Sequence, residues 1–394
     1  MRIIVSMIIL VFVFVGQAQA QAIAEGPSGS AFWDSLPRSV PDAMQRGDIY
    51  WMHERSDAPP SARGWNVIYV SEGANGEREF VSGEIYVPRR PALTERKMMI
   101  WATGTTGTQD SCAPSRNELF RLDGRSSRVP SIEVLLARGY VVVMSDYQGS
   151  GTPGPTAYLQ GELQAKASFD IARAARSLPA ARAGVDVGIY GFSQGGQTAL
   201  WAAHIVEDYA PEFNLVGAVP LAPASRHVDL SFYDLGIPVN NGYFIMRMAG
   251  LQVGHPELRL SDILTETGLS MLTAQSWGCY EIFEAAAQLT EPYAKPEALE
   301  SGTAWRAWLE ENDEFLPIDE NIPFLIVQGV EDVDVPVELS REVVDDLCEQ
   351  NSQVQYIEMA GADHFGVFYP GGALVADWFD ERFAGRAVQN NVCD

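Results

Sequence analysis

The chain has 394 residues, 46% hydrophobic and 10% aromatic, with no low-complexity tract and no internal repeat. That is an ordinary globular composition with enough apolar side chains for a sizeable core. A formal net charge of −25, from 52 acidic against 27 basic residues, excludes nucleic acid and anionic membrane surfaces as natural partners.

The chain opens "MRIIVSMIILVFVFVGQAQA": one basic residue, Arg2, an apolar run from Ile3 to Val15, and small residues at Ala18 and Ala20. This is the layout of a signal peptide over residues 1–20. The apolar run is short against the about 20 residues that a bilayer crossing takes. Export, to a periplasm or out of the cell, is therefore expected. Four cysteines in an exported chain imply two disulfides, and counting alone allows three pairings of Cys112, Cys279, Cys348 and Cys393. No C-x-x-C occurs and the five histidines are scattered, so no zinc site is expected.

Residues 21–62, rich in Pro, Ser and Asp, read as a wrapping N-terminal arm. "WNVIYVS" (65–71) and "REFVSGEIYVP" (78–88) form a hairpin around the turn "GANGE", and "KMMIWAT" (97–103) is a buried strand. A short helix over 130–139 lies between Pro130 and Gly139, and "YVVVMSDY" (140–147) is the next buried strand. A helical period over 162–178 precedes the strand "VGIYGF" (187–192). Further strands follow at 214–222, 323–329 and 353–359.

Strands alternating with helices specify an α/β fold with a mostly parallel sheet covered on both faces and an antiparallel leading edge. This is the plan of an α/β-hydrolase core, here over residues 63–226 and 321–394. The segment 227–320 breaks the alternation with helical patterns at 260–275, 280–289 and 304–313, and reads as an inserted helical cap or lid on the carboxyl side of the sheet. Its apolar residues (Phe232, Tyr243, Phe244, Met246, Met248, Met271, Trp277) could line an acyl pocket, although for any one of them a place in the cap's own core is the better expectation.

Within "GIYGFSQGGQTAL", Gly191 and Gly195 leave room for the chain to turn sharply from strand to helix with Ser193 at the apex. A serine hydroxyl needs a neutral imidazole as base, and the imidazole needs a carboxylate to orient it. On this fold the order along the chain is serine, acid, histidine. Among His53, His204, His227, His255 and His364, only His364 follows the last strand. The loop after 323–329 offers Glu331, Asp332 and Asp334. Asp332 is chosen, because a turn three residues past Gly329 returns it over the strand end; Asp334 is the runner-up. The oxyanion requires preset donors, each worth about 10²–10³ in rate. One is the backbone N–H of Gln194, and the second is expected from Thr105 or Thr106 in the loop "TGTTGTQDSC". No metal or cofactor is required.

With these residues placed, the sequence resembles the secretory lipase family of α/β-hydrolases, the lipase A type. The motifs "GTTG…CAPS" (104–115), "SDYQGSG" (145–151), "GFSQGG" (191–196), "GVEDVDVP" (329–336) and "GADH" (361–364) carry the resemblance. It implies a secreted enzyme cleaving carboxylic esters of lipids or acylglycerols beneath a helical lid; the partners expected are a small-molecule or lipid ester substrate and a transient contact with a lipid interface. It also implies the pairings Cys112–Cys279 and Cys348–Cys393. Some members of the family carry a His-Gly-Thr at the oxyanion loop, where this chain has Thr103 for the histidine. The family mixes lipases with esterases for short or aromatic acyl groups, so acyl specificity does not transfer. A peptidase is disfavoured by the lack of a propeller-like repeat and of an acidic pair for a free N-terminus. A secreted binding protein on a hydrolase scaffold is a rival from another class, disfavoured because no triad member is missing. The sequence carries no signal for an oligomeric state.

Overall fold

The computed structural model describes residues 23–116, 132–273, 279 and 281–393. The leader at 1–20, the first two positions of the helix expected at 130–139, and Trp277 lie outside these. Nine strands form one sheet: β1 (Ile49–Glu54), β2 (Ala62–Glu72), β3 (Arg78–Pro88), β4 (Arg96–Ala102), β5 (Val141–Ser145), β6 (Ala183–Phe192), β7 (Asn214–Leu221), β8 (Phe324–Gly329) and β9 (Val354–Met359). Their spatial order is β1-β2-β3-β5-β4-β6-β7-β8-β9. The ladder is antiparallel as far as β3–β5 and parallel from β5–β4 onward. The fold is therefore the mixed α/β arrangement expected from the alternation of patterns.

The near-continuous apolar runs of the central strands follow from burial on both faces. In β4, Met98, Ile100 and Ala102 join one core while Met99 and Trp101 join another. In β8, Phe324 and Ile326 face the first core, and Leu325 and Val327 the second. The first face is covered by the helices Gly161–Ser177 and Gln194–Tyr209, through residues such as Phe169, Ile171 and Leu200. The second is covered by Ile132–Arg138 and Phe368–Phe383, through Leu135, Leu136, Val375 and Phe379.

Two elements differ from the sequence reading. The arm contributes β1, which pairs with β2, and residues 24–26 at the start of the arm pair onto β1 through Gly26 N–H to Met52 O (3.0 Å). The single helix expected over 260–275 is two, Leu260–Ile263 and Glu266–Thr273. The break is enforced from outside: Leu264 pairs with Ala294, and the Thr265 N–H donates to Tyr293 O at 3.0 Å.

Between β7 and β8 the described residues are mostly helical. Helices His227–Gly236, Asn241–Gly254 and Ala304–Glu311, with the shorter ones, enclose a separate cluster of Phe244, Ile245, Met246, Met248, Leu251, Leu299 and Trp305. At the C-terminus the Val392 N–H donates to Val354 O (2.8 Å), and Asn391 Oδ1 accepts from the Val354 N–H (2.8 Å). Cys393, bonded to Cys348, thereby holds the tail along β9. Among the described residues no helix is long and apolar enough to cross a membrane.

Candidate active site

The turn between β6 and the helix Gln194–Tyr209 is as tight as its glycines allow. A Cβ on Gly191 would fall 2.1 Å from Gly195 O, and one on Gly195 would fall 1.9 Å from Ala102 O. Gly196 is constrained too, though less tightly, with a Cβ position 2.7 Å from Pro223 Cα. Ser193 sits at the apex with φ 56° and ψ −113°, a conformation that costs a non-glycine residue about 1–3 kcal/mol and recurs at functional sites. Its backbone is held from β7: the N–H donates to Leu221 O (2.8 Å) and its carbonyl accepts from the Ala224 N–H (3.1 Å).

Of the three acids in the loop after β8, Asp332 is the buried one. Its Oδ1 accepts the N–H groups of Asp334 (2.9 Å) and Val335 (2.8 Å). Its Oδ2 accepts Gln328 Nε2 (2.9 Å) and His364 Nδ1 (2.7 Å). Glu331 is exposed and Asp334 half-buried. Gln328 is a residue the sequence reading passed over. It also donates to Val335 O (3.0 Å) and accepts from Ser340 Oγ (2.7 Å), bracing the loop from inside. Its signal was present: one amide in the otherwise apolar run of β8.

His364 is buried and packs on Phe192, the residue before Ser193, with ring centroids 4.6 Å apart. Burial works to lower its pKa, but the hydrogen bond and charge of Asp332, with the charges of Asp334 and Asp363, outweigh it and the net shift is upward. The other histidines are engaged elsewhere. His53 faces Glu25, His204 the carbonyl of Pro317, His227 the Gln197 amide, and His255 the ring of Trp308. Among the described residues, the one group whose ligand atoms could converge on a cation is Asp332, Asp334 and His364, within 4.8 Å of one another. The His364–Asp332 hydrogen bond already accounts for two of these three.

Gln194 is the first residue of its helix, so its N–H has no acceptor within the helix. The loop after β4 runs against the serine turn: a Cβ on Gly104 would lie 3.1 Å from Phe192 O. Thr106 is buried, and the Thr105 hydroxyl is bonded to Tyr158 OH at 2.7 Å. Buried Asp146 links two of the motifs. It accepts from Ser82 Oγ (2.6 Å), from the Ser115 N–H (3.0 Å) and from the Ser115 hydroxyl, joining "SDY" to "CAPS". Cys112 is bonded to Cys279, tying the same loop to the helical segment.

The apolar residues considered for an acyl pocket divide. Phe244, Met246 and Met248 are fully buried in the helical segment's own cluster, where Met271 also lies. Tyr243 is partly buried against that cluster, and Phe232 is exposed.

Residues 127–294 match the secretory lipase family. Lipase A of Moesziomyces aphidis is 26% identical over 205 residues, which is 50% of this chain and 43% of that one, so less than half of that relative is spanned. The secreted triacylglycerol lipase LIP4 of Malassezia globosa is 24% identical, covering 83% of this chain and 74% of its own. A probable inactive lipase of Mycobacterium tuberculosis is 24% identical over 66% of this chain and 59% of its own. Among solved structures, Candida antarctica lipase A in its closed state superposes with a TM-score of 0.72 at 20% identity, covering 88% of this chain and 84% of that one. The rice cell wall degrading esterase LipA of Xanthomonas oryzae superposes with 0.71 at 19% identity, covering 86% and 100%. The resemblance carried by the motifs and the α/β-hydrolase fold are both borne out.

Proposed function

We propose that this chain, similar to the secretory lipases in sequence and folded as lipase A is, is a serine carboxylic-ester hydrolase. The observation that supports the reading is the strained Ser193 directly after Phe192, whose ring packs on the imidazole of a buried, hydrogen-bonded Asp332–His364 pair. Ser193 Oγ attacks the ester carbonyl carbon while His364 Nε2 takes its proton. Asp332, bonded at Nδ1, fixes the tautomer and stabilises the imidazolium. The N–H of Gln194, with a donor from Thr105 or Thr106, holds the oxyanion. Collapse of the tetrahedral intermediate breaks the bond to the alcohol, which leaves with the proton from His364. Water then repeats the cycle on the acyl-serine, releasing the acid.

The segment 227–320 serves as a cap over this site, and the substrate is a lipid ester or acylglycerol. Of the exposed large apolar side chains among the described residues, Val330, Val333 and Phe365 stand on the loops carrying Asp332 and His364, and Phe232 and Val239 on the cap. An apolar rim on an acidic protein suits an uncharged ester–water interface. Export with a cleaved leader fits the two disulfides.

One observation favours a narrower reading, a short-chain or aromatic-acyl esterase: Phe244, Met246 and Met248 are used in the cap's own core and do not widen an acyl tunnel. Hydrolysis of p-nitrophenyl esters from acetyl to palmitoyl, by the mature protein and by Ser193→Ala, tests the whole proposal. A long-chain maximum abolished in the variant supports a lipase. An acetyl or butyryl maximum supports the esterase reading. Turnover that survives in Ser193→Ala, or absence of turnover and of fluorophosphonate labelling in the parent, overturns it in favour of a binding protein.

A further inference from the structure

We infer that Asn240, in the helical segment and remote in sequence from the triad, is a positioning residue for the catalytic acid. The inference rests on the assignment of Asp332 above. Asn240 is fully buried. Its Nδ2 donates to Val333 O (3.1 Å), the carbonyl directly after Asp332, and to Asp234 Oδ1 (3.1 Å). Both partners are acceptors, so the two amide hydrogens are both used and a flipped amide would set oxygen against oxygen. The orientation is therefore fixed by chemistry.

The other end of this tie is anchored. Asp234 Oδ2 accepts from the Arg247 guanidinium, and both side chains are almost completely buried. Arg247 lies seven residues beyond Asn240, two turns along the helix Asn241–Gly254, so helix and clamp move as one body. That helix is seated on the core: a Cβ on Gly250 would fall 2.2 Å from Tyr158 O, and Tyr158 OH bonds the Thr105 hydroxyl. Gln328 holds the acid's loop from the sheet side and Asn240 holds it from the helical side. The Asp332 carboxylate thus keeps its aim at His364 only while the helical segment is in the position described.

The test compares parent, Asn240→Ala and Asn240→Leu, the second keeping asparagine's branched shape, though bulkier, so that no cavity is left while the donor is lost. Each is assayed on soluble p-nitrophenyl butyrate across pH, with melting temperatures. With the acid loosened by a fraction of an ångström, kcat falls about tenfold while KM stays within about twofold. The acid limb of kcat moves to lower pH, because His364 loses part of the contact that holds its proton. Both changes are expected in whichever variant melts above the assay temperature. Unchanged kcat and an unmoved acid limb in a folded variant overturn the inference, as does failure of both variants to fold, which would make Asn240 architectural. Ser193→Ala, run alongside, separates the two readings: if it retains turnover the serine mechanism fails, whatever Asn240 does.

Discussion

Replacing Asp332 with asparagine tests the acid's assignment, because the four hydrogen bonds on this carboxylate all come from donors. Two backbone N–H groups, from Asp334 and Val335, meet Oδ1, while Gln328 Nε2 and His364 Nδ1 meet Oδ2. An amide supplies one acceptor oxygen. Placed at Oδ1 it keeps the backbone bonds and turns its NH₂ toward Gln328 Nε2 and His364. Donor then faces donor, at a cost of about 1–3 kcal/mol for the buried unsatisfied group. His364 escapes the clash by accepting at Nδ1, which moves its own proton to Nε2, where a lone pair is needed to receive the Ser193 proton. The same tautomer trap in a serine-protease triad lowers kcat about 10⁴-fold, and a loss of about 10³–10⁴ is expected here. Asp334→Asn removes a half-buried charge that acts on His364 from further off, so its loss is expected to stay within about tenfold. Turnover of p-nitrophenyl butyrate, fluorophosphonate labelling rate and melting temperature are measured on both variants. Asp332→Asn within tenfold of the parent, or Asp334→Asn equally crippled, refutes the assignment.

Three further outcomes follow from the geometry. Gly195→Ala would place a methyl 1.9 Å from Ala102 O, backbone that cannot swing aside, and is expected to cost about 3 kcal/mol or more, read as a lowered melting temperature and lost labelling of Ser193. Activity and stability should respond oppositely to pH. The upward shift of His364 places the acid limb of kcat/KM above the ordinary imidazole value. Burial pushes Asp146 up to about 6 and Asp313 and Glu79 up to about 7, so between their unfolded and folded pKa values the native state binds more protons and stability falls as pH rises. His364 adds to this, losing its contribution as pH passes its raised folded value. His227, buried and held neutral, opposes them below the ordinary imidazole pKa. The melting temperature is expected to be higher at pH about 5.5 than at about 8, and a rising melting curve across that interval would contradict the balance. Finally, Val333→Ser with Phe365→Ser should leave p-nitrophenyl butyrate turnover within about threefold yet lower activity on an emulsified triacylglycerol about tenfold; equal losses on both substrates would remove the rim from the argument.

The sheet was legible because the central strands are buried on both faces and so read as unbroken apolar runs between glycines and prolines. Ser193 and His364 can be proposed from the sequence because chain order leaves few candidates. Asp332 needed a geometric choice among three acids within four residues, and the structure separates them by burial and partner count. Less legible were effects decided by distant chain. β1 was lost in the arm because it is only half-buried and carries no clean alternation. The 260–275 pattern is helical throughout, yet Leu264 and Thr265 are drawn into pairing with the chain at 293–294. Asn240 reaches Val333 across 93 positions, a relation no local pattern encodes.

The C-terminal tail has a consequence for how the protein behaves at high concentration. β9 is the last strand of the sheet, and an uncovered edge offers its free amides and carbonyls to any neighbouring chain. Val392 and Asn391 occupy such groups on Val354, and the bond from Cys393 to Cys348 keeps them there. Closing a loop of that sequence separation, 45 residues, is worth about 4 kcal/mol in the chain-entropy account. Thiol reductants therefore do more than loosen the fold: they uncover a templating surface at the start of β9. Reduced protein should self-associate faster than it loses secondary structure, and a shelf-stable preparation is one in which this single tail bond is kept oxidised.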